Sequence, residues 1–199
     1  MPGLLMRALR ASLLALCAAL APLCVAGAAM GQAIEVKQFS LQPLDEAYAV
    51  NADFEFDLNG RLEEALNNGV PLSFVVEFEL TRPRWYWFDE KTLAGRLESR
   101  LSYNPLLRQY RVTSGPLQRN YSALAPAMSA LTQVRAWQVA DRERVQPDTA
   151  YVASLRMRLD TTQLPKPFQI TALTDRDWTL SSQWRRIPFV VPEAEKSAR

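Results

Sequence analysis

Four stretches of the chain alternate apolar and polar residues with a period of two, and this pattern constrains the fold more than any other feature. From Tyr48 the even positions read Tyr48, Val50, Ala52, Phe54, Phe56 and Leu58, with Asn51, Asp53, Glu55 and Asp57 between them. From Val70 the pattern returns as Val70, Leu72, Phe74, Val76, Phe78 and Leu80 against Ser73, Glu77, Glu79 and Thr81. A third stretch sets Leu93, Gly95, Leu97, Leu101 and Tyr103 against Arg96, Glu98 and Arg100. A fourth sets Tyr151, Ala153, Leu155, Met157 and Leu159 against Ser154, Arg156, Arg158 and Asp160. Successive side chains of a strand point to opposite faces, so each stretch reads as a strand with one buried and one wet face. One-sided alternation is the mark of antiparallel sheet.

Shorter strands are expected at residues 34–41, at 106–113 after the Asn104-Pro105 turn, around Trp137 and Val139, at 168–173 and at 178–184. Two helices are expected. Residues 61–68 put Leu62, Ala65 and Leu66 on one face, with Asn59 to cap the start and Gly69 to end it. Residues 122–133 put Leu124, Ala127, Met128 and Leu131 on one stripe, with Ser122 as the cap. Leu164-Pro165-Lys166-Pro167 reads as a stiff extended loop. The expected fold class is mainly β (α+β): an antiparallel β-sandwich or curved sheet of about eight strands with two short covering helices.

The N-terminus reads as a secretory signal peptide over residues 1–33. Arg7 and Arg10 are the only charges before Glu35, and an alanine- and leucine-rich run follows them. The small-x-small rule allows a cut after Ala28 or after Ala33, and the second leaves a strand at the new terminus. A retained membrane anchor is the rival reading; Pro22, the alanine content and the small residues at the end of the run weigh against it. The expected location is the periplasm. A single β-rich domain then spans residues 34–191, and a polar tail, expected to be disordered, covers 192–199.

Removal of the leader changes what chemistry the chain has available. Both cysteines, Cys17 and Cys24, lie within it, and the chain contains no histidine. The exported domain thus has no Ser-His-Asp triad, no Cys-His dyad and no thiol or imidazole ligand for a metal. The 23 basic residues include Arg7 and Arg10, so 21 remain against 21 acidic ones. That balance, together with export, disfavours nucleic acid as a partner. No cofactor is expected, and the membrane is expected to be met only in passing, through the signal peptide.

The densest segment is Arg82-Pro83-Arg84-Trp85-Tyr86-Trp87-Phe88-Asp89-Glu90. Pro83 cannot donate to a ladder, so a bulge or strand edge is expected beside it. Arg82, Arg84, Trp85, Tyr86 and Trp87 form the candidate binding surface, because aromatic rings and guanidinium groups are enriched where proteins are recognised. The competing reading buries Trp85 and Trp87 in a second small core. Neighbouring Asp89 and Glu90 point apart on an extended chain and do not make a catalytic pair by themselves. Glu77 and Glu79 share a face but are explained by exposed alternation. The acids from Asp53 to Asn59 miss the glycine of a calcium loop, since Leu58 stands at its sixth position. Arg156 and Arg158 are expected to pair with acids on neighbouring strands.

Several stretches, taken in order, resemble one family. They are Gly69-Val70-Pro71-Leu72, Arg84-Trp85-Tyr86-Trp87, Leu101-Ser102-Tyr103-Asn104, Arg108-Gln109-Tyr110-Arg111, Leu155-Arg156-Met157-Arg158-Leu159-Asp160, Leu164-Pro165-Lys166-Pro167 and Asp177-Trp178-Thr179-Leu180. The chain resembles a proteobacterial domain-of-unknown-function family, number 4390, sometimes labelled proline-rich signal peptide protein. Such families are often encoded near a sensor histidine kinase of the nitrogen-regulation type, and the resemblance therefore implies a signalling connection. It brings no catalytic residues. The expected function is a non-enzymatic periplasmic interaction or sensing module with an envelope protein as partner. The alternatives are a binder of carbohydrate or peptidoglycan fragments and a carboxylate-dependent hydrolase.

Overall fold

A computed structural model describes residues 33–83, 90–147 and 149–191. Residues 1–32, nearly all of the segment expected to be a signal peptide (1–33), and residues 192–199 lie outside the described residues. Among the described residues nine strands form two antiparallel sheets. The smaller sheet has the order β1-β2-β7, from β1 (Glu35–Pro43), β2 (Ala47–Glu55) and β7 (Gln133–Asp141). The larger has the order β6-β5-β4-β3-β8-β9. Its strands are β3 (Leu72–Arg82), β4 (Glu90–Asn104), β5 (Gln109–Ser114), β6 (Leu117–Tyr121), β8 (Ala150–Leu159) and β9 (Arg185–Val190). Among the described residues the α-helices are α1 (Gly60–Asn67), α2 (Leu124–Thr132) and α3 (Lys166–Thr174).

The alternation seen in the sequence is the alternation of the fold. Tyr48, Val50, Ala52 and Phe54 of β2 are buried, and so are Leu72, Phe74, Val76, Phe78 and Leu80 of β3 and the odd residues from Tyr151 to Leu159 on β8. These side chains meet between the two sheets. Phe78 meets Trp137 edge-on at 6.4 Å, Tyr48 meets Phe189 edge-on at 5.3 Å, and Phe56 lies 5.3 Å from Phe74. Aromatic pairs at these spacings add stabilisation beyond the area they bury.

α1 closes one end of the sandwich for local reasons. The Asn59 side chain accepts from the Leu62 N–H at 2.9 Å. At the other end Gly69 adopts φ +84°, which frees its N–H to reach Leu66 O and the Val70 N–H to reach Ala65 O, both at 2.9 Å. This pair of bonds satisfies the last carbonyls and is open to glycine at little cost. Leu62, Ala65 and Leu66 are buried.

Three expectations need correction. Residues 168–173, expected as a strand, lie in α3. Pro167 falls in its first turn, where a fixed φ suits the helix and the missing N–H is no loss. Only Leu164-Pro165 keeps the extended form, and Phe168 rests on Trp178 at 5.5 Å. Residues 178–184 are not a continuous strand. A short 3₁₀ turn covers Arg176–Trp178, two backbone bonds tie Leu180 and Ser182 to β8, and regular pairing resumes only at Arg185. The alternation there is real, since Trp178, Leu180 and Ser182 are all buried, but the ladder is broken. Finally, Ser122 does not cap α2: Ala123 occupies the cap and offers no side-chain bond. The hairpin partner β6 was not anticipated.

Three of the four sheet edges, β9, β1 and β7, carry interruptions. β9 contains Pro188, β1 slips register around Lys37, and β7 slips twice against β2. Bulges and proline on edges discourage pairing with another chain.

Candidate functional site

β3 and β4 form the longest hairpin. Its ladder runs from Leu72↔Leu101 to Arg82↔Glu90, while β8 accompanies β3 only as far as Thr81↔Val152. The register slip expected near Pro83 occurs slightly earlier. It leaves Thr92 as the extra residue on β4, opposite Leu80 and Thr81. Arg82, the first residue of the expected binding surface, sits at the hairpin's end and donates from Nη1 to Gln146 Oε1 at 3.2 Å. Arg84, Trp85, Tyr86 and Trp87 lie outside the described residues. The end of the sandwich that carries Arg82 also carries the β1–β2 turn after Pro43 and the β7–β8 connection after Asp141. Tyr48 pairs with both Pro43 and Ala140, and Ala150 pairs with Val190 at the exit of β9. The strand ends that open three connections, and the end of β9, thus lie at one end of the sandwich, a position from which loops on a rigid scaffold commonly bind.

A second feature lies on the outer face of the large sheet. Glu77 of β3 is the direct ladder partner of Arg96 on β4 and of Arg156 on β8. Arg156 Nε donates to Glu77 Oε2 at 2.5 Å, Arg96 Nη2 donates to Oε1 at 3.1 Å, and Arg158 Nη2 donates to Oε1 at 3.2 Å. Trp184 covers Arg156, whose guanidinium carbon is 4.5 Å from the ring centroid. Burial works against the charged carboxylate here. The hydrogen bonds from Arg156 and Arg96 and the attraction of Arg156 and Arg158 outweigh it, and hold the Glu77 carboxyl below its ordinary range. Both oxygens are occupied by guanidinium donors, so the group serves as a structural hub. The expectation that Arg156 and Arg158 pair with an acid on a neighbouring strand holds. Glu79, beside it, pairs with Lys91 at 2.5 Å.

Of the residues that resemble a calcium loop, Asp53, Glu55 and Asn59 are engaged in other contacts. Asp53 pairs with Arg135 at 2.5 Å, Glu55 with Lys37 at 2.9 Å, and Asn59 caps α1. Among the described residues no group of three or more acidic side chains is arranged to hold a metal ion.

The sequence reading missed what β7 does. Val134, Trp137 and Ala140 pair with Ala52, Val50 and Tyr48, all inward residues of β2. Their spacing is three, where a regular strand requires an even number. Two bulges, one at Arg135-Ala136 and one at Val139, supply the difference. Trp137 is thereby laid over Gly95, where an added Cβ would stand 3.2 Å from the indole ring. A spacing of three carries no strand signal, and this is why the segment looked short and weak.

The ordered motifs along the chain agree with one further finding. A family model described as Domain of unknown function (DUF4390) matches residues 31–188. The chain belongs to the DUF4390 family. The match spans every strand from β1 through most of β9, so the sandwich described here is a DUF4390 domain almost in full. Neither a curated protein nor a solved structure matches the chain.

Proposed function

We propose that this DUF4390 domain is an exported, non-enzymatic interaction module of the cell envelope that engages a protein partner through the loop-bearing end of its sandwich. The contact set is Arg82, Arg84, Trp85, Tyr86 and Trp87. The observation that supports it most is the pairing of Arg82 with Glu90. These two residues end the longest hairpin, beyond the last residue of β3 that β8 accompanies, beside two other connections. The segment between them holds two tryptophans, a tyrosine and two arginines, counting Arg82, which are residue types enriched at the centre of protein interfaces. Export rests on the N-terminal pattern of Arg7, Arg10 and the apolar run that ends in small residues. The resemblance to families encoded beside nitrogen-regulation sensor kinases makes the outward-facing part of such a kinase the first partner to try.

The test is affinity co-purification from envelope fractions with wild type and with Trp85→Ala, Trp87→Ala and Arg82→Ala variants. Circular dichroism first shows that each variant is folded. The proposal expects one or more envelope proteins to be retained by wild type and lost by all three variants. Folded variants that keep the full wild-type set of partners would refute it.

A further inference from the structure

The small sheet has three strands and faces a sheet of six, so it covers only part of it. β7 is its edge, and α2 covers β5 and β6 farther out. Between β7, α2 and the inner face of β4, β5 and β6 lies an open cleft of about 720 Å³. That volume falls within the range of small-molecule sites.

The cleft reaches the middle of the large sheet. Leu97 points inward at the centre of β4, paired with Val76, which is 2% exposed; yet Leu97 itself is only half-buried. With Val112, Leu131, Val134 and Trp137 it makes an apolar floor and wall. The wall is held with care. Ala136 adopts φ +48°, a left-handed conformation that strains a non-glycine residue. Its N–H donates to Asn51 Oδ1 at 2.9 Å, while Arg135 beside it donates to Asp53 Oδ1 at 2.5 Å and to Ala52 O at 3.0 Å. A strained bulge clamped on both sides, beside a cavity, is the kind of device that aims a side chain at a site.

One charged residue at the outer strand of the cleft is solvent-exposed and still shares its apolar face. Arg119 of β6 is the ladder partner of Val112, and so shares its inward face. It lines the cleft, and among the described residues it has no ion-pair partner. An apolar slot with an exposed guanidinium at its outer strand, free of any ion pair among the described residues, is complementary to a molecule that is apolar along its length and negative at one end.

We propose that this cleft binds an amphipathic anion, an aliphatic chain ending in a carboxylate, with the chain against Leu97, Val112 and Trp137 and the charge on Arg119. The site is independent of the loop-bearing end, and either proposal stands or falls without the other.

Calorimetric titration of the full chain with decanoate below its micelle concentration, and with decanol as the uncharged equivalent, tests this. Wild type should bind one decanoate saturably and decanol more weakly. Arg119→Gln should weaken decanoate about tenfold or more and leave decanol unchanged, because only a charge-assisted bond is lost. Leu97→Trp should fill the cleft and abolish both, with a thermal transition that shows the variant is folded. No saturable binding to wild type would overturn the proposal, as would binding that both variants retain. Association with phosphatidylglycerol vesicles in the absence of free decanoate binding would overturn it too, since a membrane surface would then be the ligand.

Discussion

Arg156 Nε donates to Glu77 Oε2 at 2.5 Å, between residues that stand directly opposite each other across the β3–β8 ladder. Arg96 approaches the same carboxylate from the other neighbouring strand, so one acid joins three consecutive strands of the large sheet. Glu77 retains 14% of its side-chain exposure, against 27–54% for its three arginine partners. Glu77→Gln would leave three guanidiniums facing each other with no charge between them. Removing one partner of a fully buried pair costs about 3–5 kcal/mol; partial exposure here reduces that to about 2 kcal/mol. Urea denaturation at pH 7 measures it.

The same carboxylate sets a pH dependence. Its folded pKa lies below the ordinary value, so the stabilisation is fully present above the unfolded carboxyl pKa of about 4.3 and is lost as pH falls through the lower folded value. Wild type and Glu77→Gln should therefore differ most near neutrality and converge in acid below that window. Thermal melts across pH 3–7, a range chosen to bracket roughly the carboxyl titration, would show it.

Gly95 makes room for Trp137. A Cβ there would stand 3.2 Å from the ring and 3.7 Å from Val139 Cγ1. Gly95→Val should lower stability by about 1–3 kcal/mol through overpacking, despite the better strand propensity of valine. Chemical denaturation followed by far-UV circular dichroism reads the loss.

Ala136 offers a substitution in the opposite direction. At φ +48° alanine is strained and glycine is not, while glycine loses more freedom on folding. The balance favours Ala136→Gly by up to about 1 kcal/mol. Asn51→Ala removes the acceptor of the Ala136 N–H and should cost about 1 kcal/mol. The two midpoints should move in opposite directions in urea.

Asn59 works twice. Its Oδ1 caps α1, and its Nδ2 donates to Asp177 O at 2.6 Å, tying the helix to the segment after α3. Asn59→Ala should cost about 1–2 kcal/mol, and Asn59→Asp, which keeps the cap but not the donor, should cost less. Hydrogen exchange at Leu62 and Trp178 amides would separate the two contributions.

The long strands were legible because their inward positions are consistently apolar, and the β3–β8 ladder runs without a slip from Phe74↔Leu159 to Thr81↔Val152. β3 and β8 show their period in the amino-acid order itself, and Asn59 and Gly69 mark the ends of α1 without any knowledge of the rest. β7 was not legible, because two bulges turn a period of two into a spacing of three, and bulges answer to the strand opposite. α3 was misread because Phe168, Ile170 and Ala172 mimic alternation, while Pro167 starts a helix whose residues are at best half-buried. The cleft was invisible for a longer-range reason. Gly95, Trp137 and Arg119 come together only when β7 is laid over β4 and β6 closes the edge. Arg82 alone of the candidate surface lies among the described residues, at the hairpin end to which its sequence position assigns it.

Site-specific photo-crosslinking in the envelope tests the central claim most directly. The crosslinking residue replaces Trp85, between Arg82 and Glu90, or Arg108, in the β4–β5 turn at the opposite end of β4. A discrete adduct with an envelope protein is expected from position 85 and none from position 108. An adduct from 108 alone, or none from 85 in a folded and exported chain, would contradict it.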